Sequence, residues 1–241
     1  MFRIGANAAQ AEFMLQSLTR SANSGCRAGA LQYACGRYGI RGARHGRRAG
    51  TGQSMEFHHY DLPGPVEIVP RRIGDERGYF SEVFRLAPFV DQVGAVEFVQ
   101  ENESLSAKAG TVRGLHFQTA PFAQGKLVRC TAGAIFDVVV DLRRDSPMFG
   151  DWVAVTLTPE RGNQLWVPPG FAHGFCTLLP GSVVNYKVTA YYSAEHDKGL
   201  AWDDPAIGIE WPAAADPDTL SAKDRVQPLL ADLPAYFTLS A

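Results

Sequence analysis

The feature that most constrains the fold is a series of short apolar segments between residues 66 and 192. Each segment is rich in Val, Phe, Tyr, Thr or Ile, and turn residues such as Gly, Pro, Asp or Ser separate many of them. Short strands at this spacing are typical of a sandwich or small barrel rather than of βαβ units. The predicted strands span residues 66–73, 80–85, 97–104, 111–118, 126–133, 134–143, 151–158, 163–170, 172–179 and 182–192.

Helical patterns are few. Residues 86–94 predict two short helical turns, and residues 221–233 begin with a favourable N-cap, Ser221, but contain the helix breaker Pro228. The sequence therefore predicts one all-β domain over about residues 58–215, with a small helical C-terminal arm packed against it.

The composition of the chain changes near Met55. Residues 1–54 contain eight Arg, no Lys and one acidic residue, whereas residues 55–241 contain 15 basic and 24 acidic residues. The first part lacks sustained periodicity, so it cannot bury enough apolar surface to offset its ordering entropy. A transit peptide, a polyanion-binding arm and sequence upstream of a true start at Met55 are all open interpretations. We favour the last, and predict a disordered or non-native extension over 1–54 and a folded domain over 55–241.

Bulk properties exclude several classes of protein. No apolar run reaches the ~18 residues that indicate a membrane span, and the net charge of −2 argues against nucleic-acid binding. The four cysteines form no CxxC pair, which favours reduced thiols in a cytoplasmic protein over a disulfide scaffold or zinc ribbon. No glycine-rich phosphate-binding motif of either common kind occurs.

The segment TVRGLHFQ (111–118) carries polar side chains within a predicted strand. Regular alternation puts Arg113 on the face opposite His116, although a bulge could bring it round. Gly114 leaves space beside His116, as expected where a ligand or another backbone approaches closely. Each polar residue could equally be an ordinary group on the outward face of a half-buried strand.

A second polar set follows downstream. Lys126 opens a strand and could be a solvated edge lysine. His173 follows a Pro-Gly turn and could be a hydrogen-bonded core histidine. Tyr186 and Tyr192 could be simple aromatic packing in a sandwich.

The segment PPGFAH resembles the second motif of the cupin superfamily, whose metal-binding members usually supply an H-x-H pair and a Glu from the first motif. Here the first motif reads HFQ at 116–118, and no Glu occurs between Glu103 and Glu160. A catalytic divalent metal commonly takes three protein ligands, and the sequence offers two plausible ones, His116 and His173. We therefore expect a cupin barrel without a catalytic metal.

Seven motifs together resemble the dTDP-4-dehydrorhamnose 3,5-epimerase family. The resemblance covers about residues 58–233, and the first 54 residues have no counterpart in it. The motifs, in order, are GDERGYFSEVF, QENESLSAKAGTVRGLHFQ, AQGKLVRC, FDVVVDLRRDSPMFGDW, QLWVPPGFAHGF, NYKVTAYYS and LSAKD.

This resemblance implies a cupin jelly roll without metal or other cofactor, acting as a cytoplasmic homodimer in dTDP-L-rhamnose biosynthesis. It implies inversion of dTDP-4-dehydro-6-deoxy-D-glucose at C3 and C5. Such a reaction needs a base for the proton α to the ketone, a cation or donors for the enolate, and an acid on the opposite face of the ring.

The resemblance also implies a role for individual residues. His116 matches the base, Asp224 its carboxylate partner, Lys126 the enolate-stabilising cation and Tyr186 the acid. Tyr192 matches the aromatic residue that stacks on thymine.

Ten residues are expected to line the nucleotide-sugar pocket, some of them reaching across the dimer. Arg is well suited to the diphosphate because its donors form a fork. Asp197 stands where the family often has Glu, which affects only a peripheral contact. The ten are Arg77, Phe80, Glu82, Gln100, Asn102, Arg113, His173, Tyr192, Asp197 and Lys223.

Three other functions remain open on the sequence. The same residues could serve a mono-epimerase acting at C5 or C3 alone in another dTDP-deoxysugar pathway. A metal-dependent cupin enzyme and a sugar-nucleotide-binding cupin without activity are the further alternatives.

Overall fold

The computed structural model describes residues 55–239, and the predicted extension over 1–54 lies outside the described residues. The described chain consists almost wholly of strands and loops, as predicted. The strands are β1 (Met55–His59), β2 (Val66–Pro70), β3 (Arg72–Asp75), β4 (Gly78–Ser81), β5 (Gln100–Ser106), β6 (Val112–Gln118), β7 (Lys126–Ala132), β8 (Ile135–Asp141), β9 (Trp152–Leu157), β10 (Gln164–Val167), β11 (Phe171–Thr177), β12 (Ser182–Val188) and β13 (Asp197–Gly199). Helix α1 spans Leu86–Val93, and 3₁₀ turns span Pro217–Thr219, Asp224–Val226 and Leu230–Asp232.

Two antiparallel sheets form the barrel. One has six strands in the order β1-β2-β10-β7-β12-β5, and the other has five in the order β13-β6-β11-β8-β9. Their inner faces share one core cluster, in which Val128 and Leu165 of the first sheet pack with Val139 and Phe175 of the second. Alternating apolar residues thus bury one face of each sheet against the other. The predicted all-β jelly roll is confirmed.

The outer faces of the two sheets are covered differently. On the six-stranded sheet, Phe89 of α1 packs edge-on against Trp166 at 5.4 Å between ring centroids. On the five-stranded sheet, Leu115 and Val138 pack with Leu230 of the C-terminal arm. This second contact matters for the site, because the same arm carries Asp224. No helix in the described part of the chain is long and apolar enough to cross a membrane.

Several predicted boundaries differ from the observed ones. The strand predicted over 66–73 is divided at Arg71 into β2 and β3, and β3 pairs with β4 in a separate hairpin. The last predicted strand ends at Val188 rather than at Tyr192. The two helical turns predicted over 86–94 form one helix, because Pro88 falls in its first turn, where proline is tolerated.

Strand β6 contains a bulge, the alternative to regular alternation that the sequence left open. His116 pairs with His173 and Arg113 pairs with Phe175, so three steps along β6 match two along β11. Gly114 has φ of +118°, and a Cβ there would lie 2.6 Å from Gly174 Cα. The space that Gly114 provides is therefore taken by the backbone of β11, not by a ligand.

Candidate active site

A cavity of about 360 Å³ is lined by residues from both sheets at one end of the barrel. The six-stranded sheet contributes side chains from β5, β7 and β12, and the five-stranded sheet contributes β6 and β13. Seven of the predicted site residues line this cavity: Gln100, Asn102, His116, Lys126, Tyr186, Tyr192 and Asp197.

A histidine–carboxylate pair forms one wall. His116 Nε2 lies 2.5 Å from Oδ1 of Asp224, which is buried on the C-terminal arm. Burial alone would raise the pKa of Asp224, but the hydrogen bond and charge of His116, together with Ser221, lower it on balance. An ionised carboxylate that accepts from Nε2–H leaves Nδ1 with the free lone pair and stabilises the imidazolium. This geometry suits a base.

The opposite wall carries a cation and a phenol, on β7 and β12 of the six-stranded sheet. Burial lowers the pKa of Lys126 to about 8, although the charges of Asp197 and Asp137 partly oppose the shift. Burial also raises the pKa of Tyr186, with partial opposition from Arg113 and Asn102. At neutral pH Lys126 is therefore mostly charged, and Tyr186 keeps the proton that an acid must donate.

The rim of the cavity holds a small polar network. Lys223 Nζ forms an ion pair with Asp197 Oδ2. The same oxygen accepts from the Tyr192 hydroxyl at 3.2 Å. Tyr192 as a whole is 62% exposed, so its side chain is open to solvent at the rim.

Comparison with known proteins identifies the family of the chain. A family model described as dTDP-4-dehydrorhamnose 3,5-epimerase matches residues 59–232. The chain belongs to this family. It is 64% identical over 183 residues to a dTDP-4-dehydrorhamnose 3,5-epimerase from Sinorhizobium fredii, covering 76% of this chain and 93% of the relative.

Two solved epimerase structures resemble the described fold. One is the dTDP-4-dehydrorhamnose 3,5-epimerase of Bacillus anthracis with TDP and PPi bound, at 47% identity and a TM-score of 0.68, covering 73% of this chain and 99% of that one. The other is dTDP-6-deoxy-D-glucose-3,5-epimerase of Legionella pneumophila in complex with dTDP-4-keto-L-rhamnose, at 40% identity and a TM-score of 0.72. That match covers 78% of this chain and all of the Legionella chain.

Two further predicted residues lie close to the cavity without lining it. Arg113 donates from Nε to Ser106 Oγ at 3.1 Å, and its charge reaches Tyr186. His173 is buried, and its Nε2 lies 2.8 Å from Asp137 Oδ1. In this epimerase-family barrel, His173 is also the strand partner of His116, so the two residues lie side by side in the same sheet.

The other three predicted residues lie in and just after the hairpin formed by β3 and β4. Arg77 pairs with Asp75, and Glu82 pairs with Arg85 at 2.8 Å. Phe80 is 69% exposed. None of these three side chains lines the cavity among the residues that the structure describes.

The two histidines considered as metal ligands are each bonded to a different aspartate, His116 to Asp224 and His173 to Asp137. Over residues 55–239, no three His, Cys, Asp or Glu side chains lie close enough together to hold a metal ion.

Four cavity residues were not among the predicted site residues: Glu103, Phe117, Gln118 and Gln124. The sequence indicates Gln118 only as the replacement for a metal-binding histidine. Its spacing of two residues from His116, which puts both side chains on one face of a strand, is the one local signal for a place in the site. Gln124 donates to Ala190 O at 2.7 Å, and nothing in its local sequence indicates that contact.

Proposed function

We propose that this chain is an isomerase that inverts C3 and C5 of dTDP-4-dehydro-6-deoxy-D-glucose, giving dTDP-4-dehydro-L-rhamnose for dTDP-L-rhamnose biosynthesis. The observation that carries the proposal is the His116–Asp224 pair at 2.5 Å, which faces Lys126 and Tyr186 across one cavity. Membership of the epimerase family supports the same reaction. The Legionella relative, in complex with dTDP-4-keto-L-rhamnose, supports the substrate class.

The first step is removal of a proton α to the 4-keto group. His116 takes this proton, and buried Asp224 stabilises the imidazolium that results. The His116 side chain is 33% exposed, so its proton can exchange with solvent between events.

The enolate then needs a positive charge at its oxygen. Lys126 supplies this charge from a desolvated position, where it acts more strongly than it would in water. Tyr186 delivers a proton from the opposite wall, and reprotonation on the face opposite the base inverts the carbon. Rotating the sugar within the same cavity would expose the second carbon to the same pair of groups.

The remaining residues would hold the nucleotide. Tyr192 offers an exposed ring to thymine. Within the cavity, the Gln100 amide donates a hydrogen bond from Nε2 to Asn102 Oδ1 at 2.7 Å. Arg113 and Lys223 would bind the diphosphate, and Lys223 would exchange its Asp197 partner for phosphate oxygens.

A homodimer completes the proposed site. Arg77, Phe80 and Glu82 lie outside the cavity of their own chain, on a hairpin suited to entering the cavity of a second copy. We also propose that residues 55–241 form the catalytic domain and that the enzyme works in the cytoplasm. The two described cysteines, Cys130 and Cys176, are buried free thiols, as is usual in a reducing compartment.

The test is product identity by NMR, with dTDP-4-dehydro-6-deoxy-D-glucose in deuterated buffer. The proposal expects dTDP-4-dehydro-L-rhamnose carrying deuterium at both C3 and C5, with activity unaffected by chelators. Label at only one carbon would show a mono-epimerase instead. Activity that follows stoichiometric bound metal would show a metal-dependent cupin, and binding without turnover would show a non-catalytic cupin.

A further inference from the structure

Gln118 is a buried amide that bonds to three backbone groups from two separate loops. It is 4% exposed and lies two residues beyond His116 on β6, on the same face of the strand. Its Nε2 donates to Phe122 O at 2.9 Å and to Tyr191 O at 3.1 Å. Its Oε1 accepts from Ser193 N at 2.7 Å. All the usual hydrogen-bonding groups of this amide except one acceptor lone pair are engaged.

Two of these three bonds flank one residue. Tyr191 O and Ser193 N lie immediately before and after Tyr192, so the Gln118 amide holds the backbone on both sides of it. The hydroxyl of Tyr192 is held separately by Asp197, whose Cα pairs with that of Gln118 in the β13–β6 ladder. Gln118 and Asp197 are therefore neighbours across two strands, and they hold the backbone and the hydroxyl of Tyr192, respectively.

The third hydrogen bond of Gln118 holds the loop between β6 and β7. Phe122 lies in the segment between β6 and β7, which leads into Gln124 and Lys126 of the cavity lining. One side chain thus joins the strand that carries His116, the loop that carries Tyr192 and the loop that leads to Lys126.

We infer that Gln118 is a positioning residue that sets the distance between the base His116 and the nucleobase-stacking ring of Tyr192. This inference rests on the proposed function. The nucleotide would bind at Tyr192 while the sugar must reach His116, so the spacing between the two residues decides whether binding energy places the reacting carbon correctly. Gln118 would act through Tyr192 and would itself touch neither the base nor the reacting atoms.

The test combines dTDP binding by calorimetry with steady-state kinetics on the full chain. Gln118→Met preserves side-chain volume but removes all three hydrogen bonds. We expect dTDP affinity to fall by about fivefold to a hundredfold, the range that loss of one base–aromatic stack produces. KM should rise with it, and kcat should also fall, by up to about 10²-fold, because the sugar is then held at the wrong spacing from His116 although the His116–Asp224 pair itself is not touched.

A double-mutant cycle separates positioning from general stability. Tyr192→Leu removes the ring itself, so adding Gln118→Met to it should weaken dTDP binding little further. Fully additive losses would overturn the inference, as would wild-type dTDP affinity in Gln118→Met. If the unaltered chain neither binds dTDP nor turns over substrate, or if Tyr192→Leu binds dTDP normally, the proposed function itself is at fault.

Asn163 provides a matched control. It is also a fully buried amide, and it donates to Glu67 Oε1 at 2.6 Å and to Thr156 O at 2.9 Å, away from the cavity. Asn163→Leu should lower thermal stability comparably and leave dTDP affinity unchanged.

If Gln118→Met does not fold, Gln118→Glu keeps the acceptor for Ser193 N and loses the two donors. Because the second carboxylate oxygen then faces two carbonyl acceptors, a loss of dTDP affinity in that variant supports the inference, and wild-type affinity overturns it.

Discussion

The cavity and the β3–β4 hairpin are built in opposite ways, although the sequence predicts both to contact one nucleotide sugar. In the cavity, His116 and Lys126 are oriented by groups of the same chain. On the hairpin, Phe80 is exposed, and Arg77 and Glu82 are paired only with their own near neighbours in sequence.

This difference indicates which functions one chain can perform by itself. The proposed acid, base and cation lie on the two walls of a single barrel, so one chain contains all the groups that are proposed to move protons. The hairpin displays proposed binding groups that do not line the cavity of their own chain among residues 55–239. The chemistry and part of the substrate binding are therefore expected to come from different copies.

The largest expected effect is loss of the base. Removing a general base costs about 10²–10⁴ in rate, and His116→Ala also leaves Asp224 buried without its partner. We expect kcat to fall by at least about 10³, with dTDP affinity unchanged. Wild-type kcat in this variant would place the base elsewhere.

Loss of the cation should come next. Lys126→Met is expected to lower kcat by about 10²–10³, as for removal of one group that stabilises an oxyanion. Because the pKa of Lys126 is lowered to about 8, its charge is present below that pH and lost above it. The wild-type rate should therefore fall as pH rises through about 8.

A substitution that keeps the charge at position 126 tests whether the alkaline decline in rate comes from Lys126. Arg stays protonated at all accessible pH, so Lys126→Arg should move the alkaline decline to higher pH even if the rate is lower throughout. A decline that stays at the same pH would assign it to another group.

Substitutions on the hairpin should have a smaller effect on kcat/KM, and mixing with chains of a second variant should partly reverse it. Arg77→Ala combined with Phe80→Ala is expected to lower kcat/KM by at least about tenfold through weaker binding. Mixed with His116→Ala chains, it should form heterodimers that contain one intact site.

The activity that the mixture should recover can be calculated. Random pairing at equal amounts should restore about one quarter of wild-type activity, because half the dimers then contain one complete site of two. No recovery after dissociation and reassociation would show that the hairpin serves its own chain or no site.

The smallest expected effect is at the rim. Lys223 and Asp197 are partly solvated, and such ion pairs contribute about 0–1 kcal/mol. Lys223→Ala should raise KM a few-fold with kcat almost unchanged, and Lys187→Ala, which breaks an ion pair with Glu101 on the same sheet, serves as the control. A large fall in kcat would show that Lys223 does more than hold the nucleotide.

The fold was predictable because alternation and turn residues are local signals. The bulge at Gly114 could also be anticipated, since a glycine between two polar strand residues indicates close backbone approach. The end of β12 could not be anticipated from the sequence. Tyr191 and Tyr192 have high strand propensity, but their segment lies outside the sheet, where the Gln118 amide bonds to Tyr191 O and Ser193 N.

The site was less predictable from local pattern. His116 and Asp224 are 108 residues apart, and no periodicity relates a strand to a distant 3₁₀ turn. Only resemblance to a family connects them before the fold is known. The contacts of Gln118 are equally non-local, so its role becomes apparent only when both loops are in place.

The central claim is that His116 and Tyr186 act from opposite walls. Its most direct test is Tyr186→Phe in deuterated buffer, followed by NMR of the recovered sugar. We predict that deuterium enters the unepimerised substrate, because His116 still removes a proton and returns a deuteron on the same face, while product formation falls by about 10²–10⁴. Product formed at the wild-type rate, or complete loss of exchange with His116 and Asp224 intact, would contradict it.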